Sequence, residues 1–281
     1  MMYKIHFFKQ GNRNFDNKRL YEYLKSYYKI SDISTDKENI YQIINENTNL
    51  EIYLYSNSKS YINDIFRINP EYLDINFRLE VDILTSTYNI EIVFNLIRRI
   101  TKEFNLFIYN ELFKNVSNFS IDLLRTSFNK IKQAYKTKYV DRLNYYYLDS
   151  QKLYDIDKFF DEIDEIYNNF NEDTEIVKPK FLFDENNKVL ISLDWKEQQA
   201  IIFPPFLDLI IYQIGNKVLI IKANIVFQTI EKYINDLPGF SKGAYYISKK
   251  NSKKCKKLIS KLSNVQLDIN LKYLPYKNIT D

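Results

Sequence analysis

Residues 75–83 read Ile-Asn-Phe-Arg-Leu-Glu-Val-Asp-Ile, nine positions in which apolar and polar side chains alternate without a break. A period of two puts Ile75, Phe77, Leu79, Val81 and Ile83 on one side of an extended chain. Asn76, Arg78, Glu80 and Asp82 fall on the other. The pattern predicts a strand with one buried side and one wet side, as in an antiparallel sheet covered on a single face.

Outward from this stretch the period changes. Residues 88–104 place Ile90, Val93, Phe94, Ile97, Ile100 and Phe104 at helical spacing, with Ser86 or Thr87 as the cap. Residues 105–109 return to a strand. Upstream, 50–55 and 39–44 read as two strands joined by a polar turn. Before them a helix runs from a cap at Asp16 to about Tyr28, behind an opening strand carrying Tyr3, Ile5 and Phe7. This order is close to a split βαβ layout.

Beyond residue 115 the spacing is first helical. One stripe holds Ile121, Leu124, Phe128, Ile131 and Tyr135, and a second holds Leu153, Ile156, Phe160, Ile163, Tyr167 and Phe170. The polar, acidic run 171–179 marks a boundary. Strand-like segments follow at 181–183, 188–195, 207–213 and 217–222, then a helix near 224–235 and a breaker at Pro238-Gly239. A lysine-rich helix spans about 249–262. Val265, Leu267, Ile269, Leu271 and Tyr273 alternate as a closing strand. The expected class is α/β or α+β: a mixed sheet with helices first, a helical middle, and a β-rich last part with two helices. The expected domains are 1–115, a helical connector 116–178, and 179–281.

Composition excludes several functions. The 281 residues are 45% hydrophobic and 27% charged, enough for a packed core. A single histidine, His6, rules out a multi-His metal site. His6 reads as a polar strand residue. A single cysteine, Cys255, rules out an intrachain disulfide and a Cys-rich zinc site. It falls on an apolar stripe with Leu258, Ile259 and Leu262 and reads as a buried structural thiol. Gly11, Gly215, Gly239 and Gly243 stand apart, so no glycine-rich phosphate cradle is present. No cofactor and no metal are expected. No run is apolar and long enough to span a bilayer, and no signal peptide is visible. A cytoplasmic protein without a membrane partner is the expectation.

Three groups of residues carry chemistry worth placing. The acidic stretch 155–175 sets Asp157, Asp161 and Asp164 at i, i+4, i+7, which predicts a solvated helix face rather than a cation site. The stretch 242–261 contains Lys242, Lys249, Lys250, Lys253, Lys254, Lys256, Lys257 and Lys261 and no acid. Those lysines could neutralise phosphates or an acidic protein, with Tyr245 and Tyr246 as stacking neighbours. Asp184, followed ten residues later by Asp194-Trp195-Lys196, has the spacing of metal-dependent nucleases with an Asp…Asp-x-Lys arrangement, in which two carboxylates hold Mg²⁺. The turn-forming Asn186-Asn187 argues that the two carboxylates diverge. With 25 tyrosines and no catalytic signature, the leading expectation is a non-enzymatic protein of inhibitor, immunity or scaffold type that binds another protein through a Tyr-rich surface. The alternatives are the nuclease and nucleic-acid binding through the lysine-rich helix.

Overall fold

The computed structural model describes residues 1–11, 15–36, 38–56, 68–139, 145–169, 174, 177–237 and 243–281. Lys242 and the Pro238-Gly239 breaker lie outside the described residues, as does most of the 171–179 boundary. The chain is mixed α+β and divides into two compact units, Met1–Leu143 and Asn144–Asp281.

In the first unit the elements are β1 (Met2–Gln10), α1 (Asn17–Lys25), β2 (Ile30–Asp32), β3 (Asn39–Asn45), β4 (Leu50–Ser56), β5 (Tyr72–Asp82), α2 (Thr87–Phe104), β6 (Phe107–Tyr109) and α3 (Ile121–Tyr139). The strands form one antiparallel sheet in the order β2-β3-β4-β5-β1-β6. The helices start where capping chemistry says they should. Asp16 accepts a bond from Arg19 N at 3.0 Å, and Ser86 accepts one from Asn89 N at 3.3 Å. Asn105, left-handed at φ 52°, ends α2.

The deciding stretch behaves as its apolar half requires. Ile75, Phe77, Leu79, Val81 and Ile83 are all buried, and Phe77 packs on Phe7 with ring centres 4.8 Å apart. The polar half does not. Arg78 and Glu80 are buried too, where a wet face was expected. They stand two residues apart on the same side of the strand, so the Arg78 guanidinium reaches Glu80 at 2.7 Å and lies 3.9 Å over the Tyr55 ring. Paired in this way, the charges tolerate the loss of water. His6 is buried on the neighbouring strand. The register of β1 on β5 shifts between Phe7 and Phe8, whose partners are Phe77 and Asp74. Asn76 takes up the slack with φ 55° and donates its N–H to Asp74 Oδ1 at 2.9 Å.

The second unit contains β7 (Tyr146–Tyr147), α4 (Ser150–Asp161), α5 (Ile163–Asn168), β8 (Lys180–Phe183), β9 (Val189–Lys196), β10 (Ile201–Phe203), β11 (Leu209–Ile214) and β12 (Lys217–Lys222). After these come α6 (Ala223–Ile230), β13 (Asn235–Asp236), β14 (Tyr245–Ile247), α7 (Lys249–Ser260), β15 (Lys272–Leu274) and β16 (Ile279–Thr280). One sheet runs β12-β11-β9-β8-β15, a second runs β10-β14-β13, and β16 pairs with β7. Two apolar clusters fill the interior. One gathers α4 and α5 with Phe181, Ile191 and Phe206, and the other gathers α6 and α7 with Leu193, Trp195 and Tyr212. Asp208 ties elements together: its carboxylate accepts Ile191 N at 2.8 Å and lies 2.9 Å from Lys152 Nζ, while its carbonyl accepts Ala223 N at 3.0 Å.

Two expectations are corrected in this unit. Asp157 is buried, with Asp161 and Asp164 exposed: Tyr276 lies over Asp157, and the helix breaks at Glu162 into α4 and α5 before Asp164. Tyr276 donates its hydroxyl to the Asp157 carboxylate and stacks on Phe181 with ring centres 4.9 Å apart. The closing alternation is a strand only over Lys272–Leu274. Leu267 instead donates its N–H to Ile220 O on β12, and 267, 269 and 271 stay half-buried while 266, 268 and 270 are exposed. A connecting run that lies along a surface needs the same alternation as a strand.

Candidate functional site

The carboxylates of Asp184 and Asp194 are not brought together. β8 and β9 form an antiparallel hairpin whose turn follows Phe183. Asp184 Oδ1 closes that turn, accepting Asn186 N and Lys188 N at 2.9 Å each. Asp194 sits near the far end of β9, where Lys180 binds its carboxylate. Six residue steps of extended chain lead from Lys188 to Asp194, so the two carboxylates stand roughly 20 Å apart. Lys196 is exposed and donates its backbone N–H to Gln199 Oε1 at 2.9 Å. A carboxylate pair gripping one cation needs oxygens within about 2.6 Å of it. Among the described residues, no group of three or more His, Cys, Asp or Glu is placed to hold a metal ion.

The lysine-rich segment does form one surface. Ser248, extended at ψ 156°, caps α7 by accepting Asn251 N at 3.4 Å. Ser252, Cys255 and Ile259 are the buried positions, and Cys255 and Ile259 pack into the cluster with Trp195 and Tyr212. At 100° per residue, Lys249, Lys250, Lys253, Lys254 and Lys257 then occupy an arc of about 140° on the opposite side, and all five are exposed. Lys256 lies outside that arc's centre, half-buried, with Nζ 2.7 Å from Glu197 Oε2. Among the described residues the other five form no ion pair. The basic helix is therefore not neutralised by the acidic residues of α4 and α5.

This surface works against the helix that carries it. Lys249/Lys253, Lys250/Lys254 and Lys253/Lys257 are like charges at i, i+4, each such pair costing a helix about 0.2–0.5 kcal/mol. Lys249 and Lys250 also crowd the positive end of the helix dipole, where no acid stands in the first turn. Local stability has been given up where the charge is displayed.

Tyr245 and Tyr246 are not part of that surface. Both are half-buried on β14, with Tyr245 against Phe227 at 5.4 Å and the cluster under α7, and Tyr246 against the cluster of α4 and α5. Successive residues of a strand point to opposite sides, and here both sides are core. Burial pushes the Cys255 thiol up to about 11, so it stays protonated and unreactive. No protein-family model, no curated protein and no solved structure matches this chain. Function has to be read from the surfaces. No helix among the described residues is long and apolar enough to cross a membrane.

Sequence periodicity located α7 and its lysines, because helical spacing separates the stripe of Cys255 and Ile259 from the charges. It did not reveal a shallow groove of about 720 Å³ in the first unit, lined by Lys9, Phe15, Asp16, Arg19, Glu103, Phe104 and Asn105. That groove joins the start of α1 to the end of α2 and contains the Arg19–Glu103 ion pair at 2.7 Å.

Proposed function

We propose that this chain is a non-enzymatic binding protein that engages a polyanionic macromolecule through the outward face of α7. The observation that supports it is the set of five exposed lysines, without ionic partners among the described residues, on a helix they destabilise. Charge arranged at a cost to stability is expected where binding needs it. We place the binding in the cytoplasm, since Cys255 is the only cysteine and is an unpaired thiol. The test is retention on immobilised heparin. The intact chain should elute at clearly higher salt than a Lys253→Gln/Lys254→Gln/Lys257→Gln variant whose melting temperature is unchanged. Co-elution of the two would end this reading.

A protein partner bound through tyrosine is the second reading. It draws on Tyr273, 66% exposed on the edge strand β15, and on Tyr147 at 42% in the same unit. Edge strands invite a further strand, and tyrosine suits interfaces. Many other tyrosines are engaged in packing, which leaves this surface sparser than the composition suggests.

A further inference from the structure

We infer that the polyanion met by α7 is the phosphate backbone of a nucleic-acid duplex, held without reading its sequence; this rests on the reading of α7 as the binding surface. Three observations narrow the partner. The first is the chemistry of the charges. The unit Asn144–Asp281 contains no arginine at all, so the face offers ammonium point charges and no planar fork for bidentate pairing with guanine. Adenine edges are read by Asn or Gln amides, and the one amide on α7, Asn251, is committed: its Nδ2 donates to Tyr233 O at 3.0 Å. Phosphate contacts fix position and carry no sequence information.

The second is the absence of a stacking platform among the described residues of α7 and β14. Single strands are held by bases lying on exposed rings. Between 243 and 262 no aromatic side chain is exposed, since Tyr245 and Tyr246 serve the two cores. A duplex keeps its bases stacked on each other and needs no such ring. The third is the lack of an apolar centre. Protein interfaces gather their energy in buried aromatic and aliphatic anchors, and lysine is depleted in them. The exposed arc of α7 is lysine throughout, with Ile259 turned into the core and Leu258 half-buried beside the arc.

Five lysines on five phosphates set the expected salt dependence. The logarithm of the association constant should fall with the logarithm of salt at a slope of about −4.5, a loss of roughly 500-fold between about 50 and about 200 mM. The experiment is fluorescence anisotropy of the full chain with labelled duplexes of two unrelated sequences, about 20 base pairs each. A single strand of one of them and polyglutamate of matching charge complete the set. The expected result is equal affinity for both duplexes, weaker binding of the other two probes, and a slope reduced by about two in Lys253→Gln/Lys254→Gln. Polyglutamate bound as tightly as duplex, a single strand bound more tightly, or a preference above about tenfold for one duplex sequence would overturn this inference and leave α7 as the binding surface. No binding of any probe, or no effect of the double substitution, would overturn both.

Discussion

Arg78 and Glu80 leave β5 on the same side, and His6 meets them from β1, opposite Arg78 in the register. Burial first, then the Arg78 and Lys4 charges, lower the His6 pKa to about 4 from 6.5. The folded protein therefore holds His6 neutral, while the unfolded chain takes up a proton near pH 6.5. This contribution to stability is complete above about pH 6.5, declines as pH falls toward about 4, and is lost no further below that; its size is on the order of 3 kcal/mol. Melting the wild type and His6→Gln from pH 7.5 to pH 4 checks it: the gap between the two curves should change across that window. A gap independent of pH would show that the imidazole is not held neutral. Two buried tyrosines make a second contrast. Tyr276 gives its hydroxyl to buried Asp157, so Tyr276→Phe should cost about 1–3 kcal/mol. Tyr212 is fully buried and its hydroxyl finds no hydrogen-bond partner among the described residues. Tyr212→Phe should leave the melting temperature unchanged or raise it, and a clear fall would mean the hydroxyl is satisfied after all.

At the scale of elements, α7 carries opposed demands. Lys249→Glu with Lys250→Glu would place acids at the positive end of its dipole and remove like-charge pairs, so the melting temperature should rise by a few degrees. Heparin affinity should fall in the same variant. Unchanged or higher heparin affinity would separate the helix from the binding, and a lower melting temperature would overturn the stability cost of its charges. Elements also mark where the sequence was readable. β5, α2 and α7 were legible because one periodic stripe in each faces a core, and Asp16 and Ser86 sit where caps belong. Periodicity does not say what lies over the other side. Arg78 and Glu80 look identical in sequence whether they face water or each other. Asp157 left the solvated face because Tyr276, distant in sequence, lies over it, and Tyr245 with Tyr246 were lost to the surface because β14 has core on both sides. The alternation from 265 to 273 serves a connecting run and a short strand equally well.

For the whole molecule, each unit has its own sheet, helices and apolar interior. Residues 1–143 and 144–281 produced separately should each give a cooperative thermal transition. An aggregated or molten fragment would show that one interior needs the other half of the chain. Their charges differ. The first unit holds 21 Lys and Arg against 17 acids and the second 19 against 19, so α7 acts as a local patch on a neutral body. Heparin affinity of residues 144–281 alone should therefore match that of the intact chain, and a large deficit would shift the binding to the first unit.

The only sulfhydryl of the protein, Cys255, is enclosed beneath α7. A thiol reagent can reach it only while that helix is lifted from its seat. Labelling rates, divided by the rate for an unfolded peptide thiol, would give the fraction of time α7 spends detached. The chain thus carries its own clock for the opening of one helix, readable by mass spectrometry without an introduced probe. Occupancy of the lysine face should slow that clock if the bound partner holds the helix down.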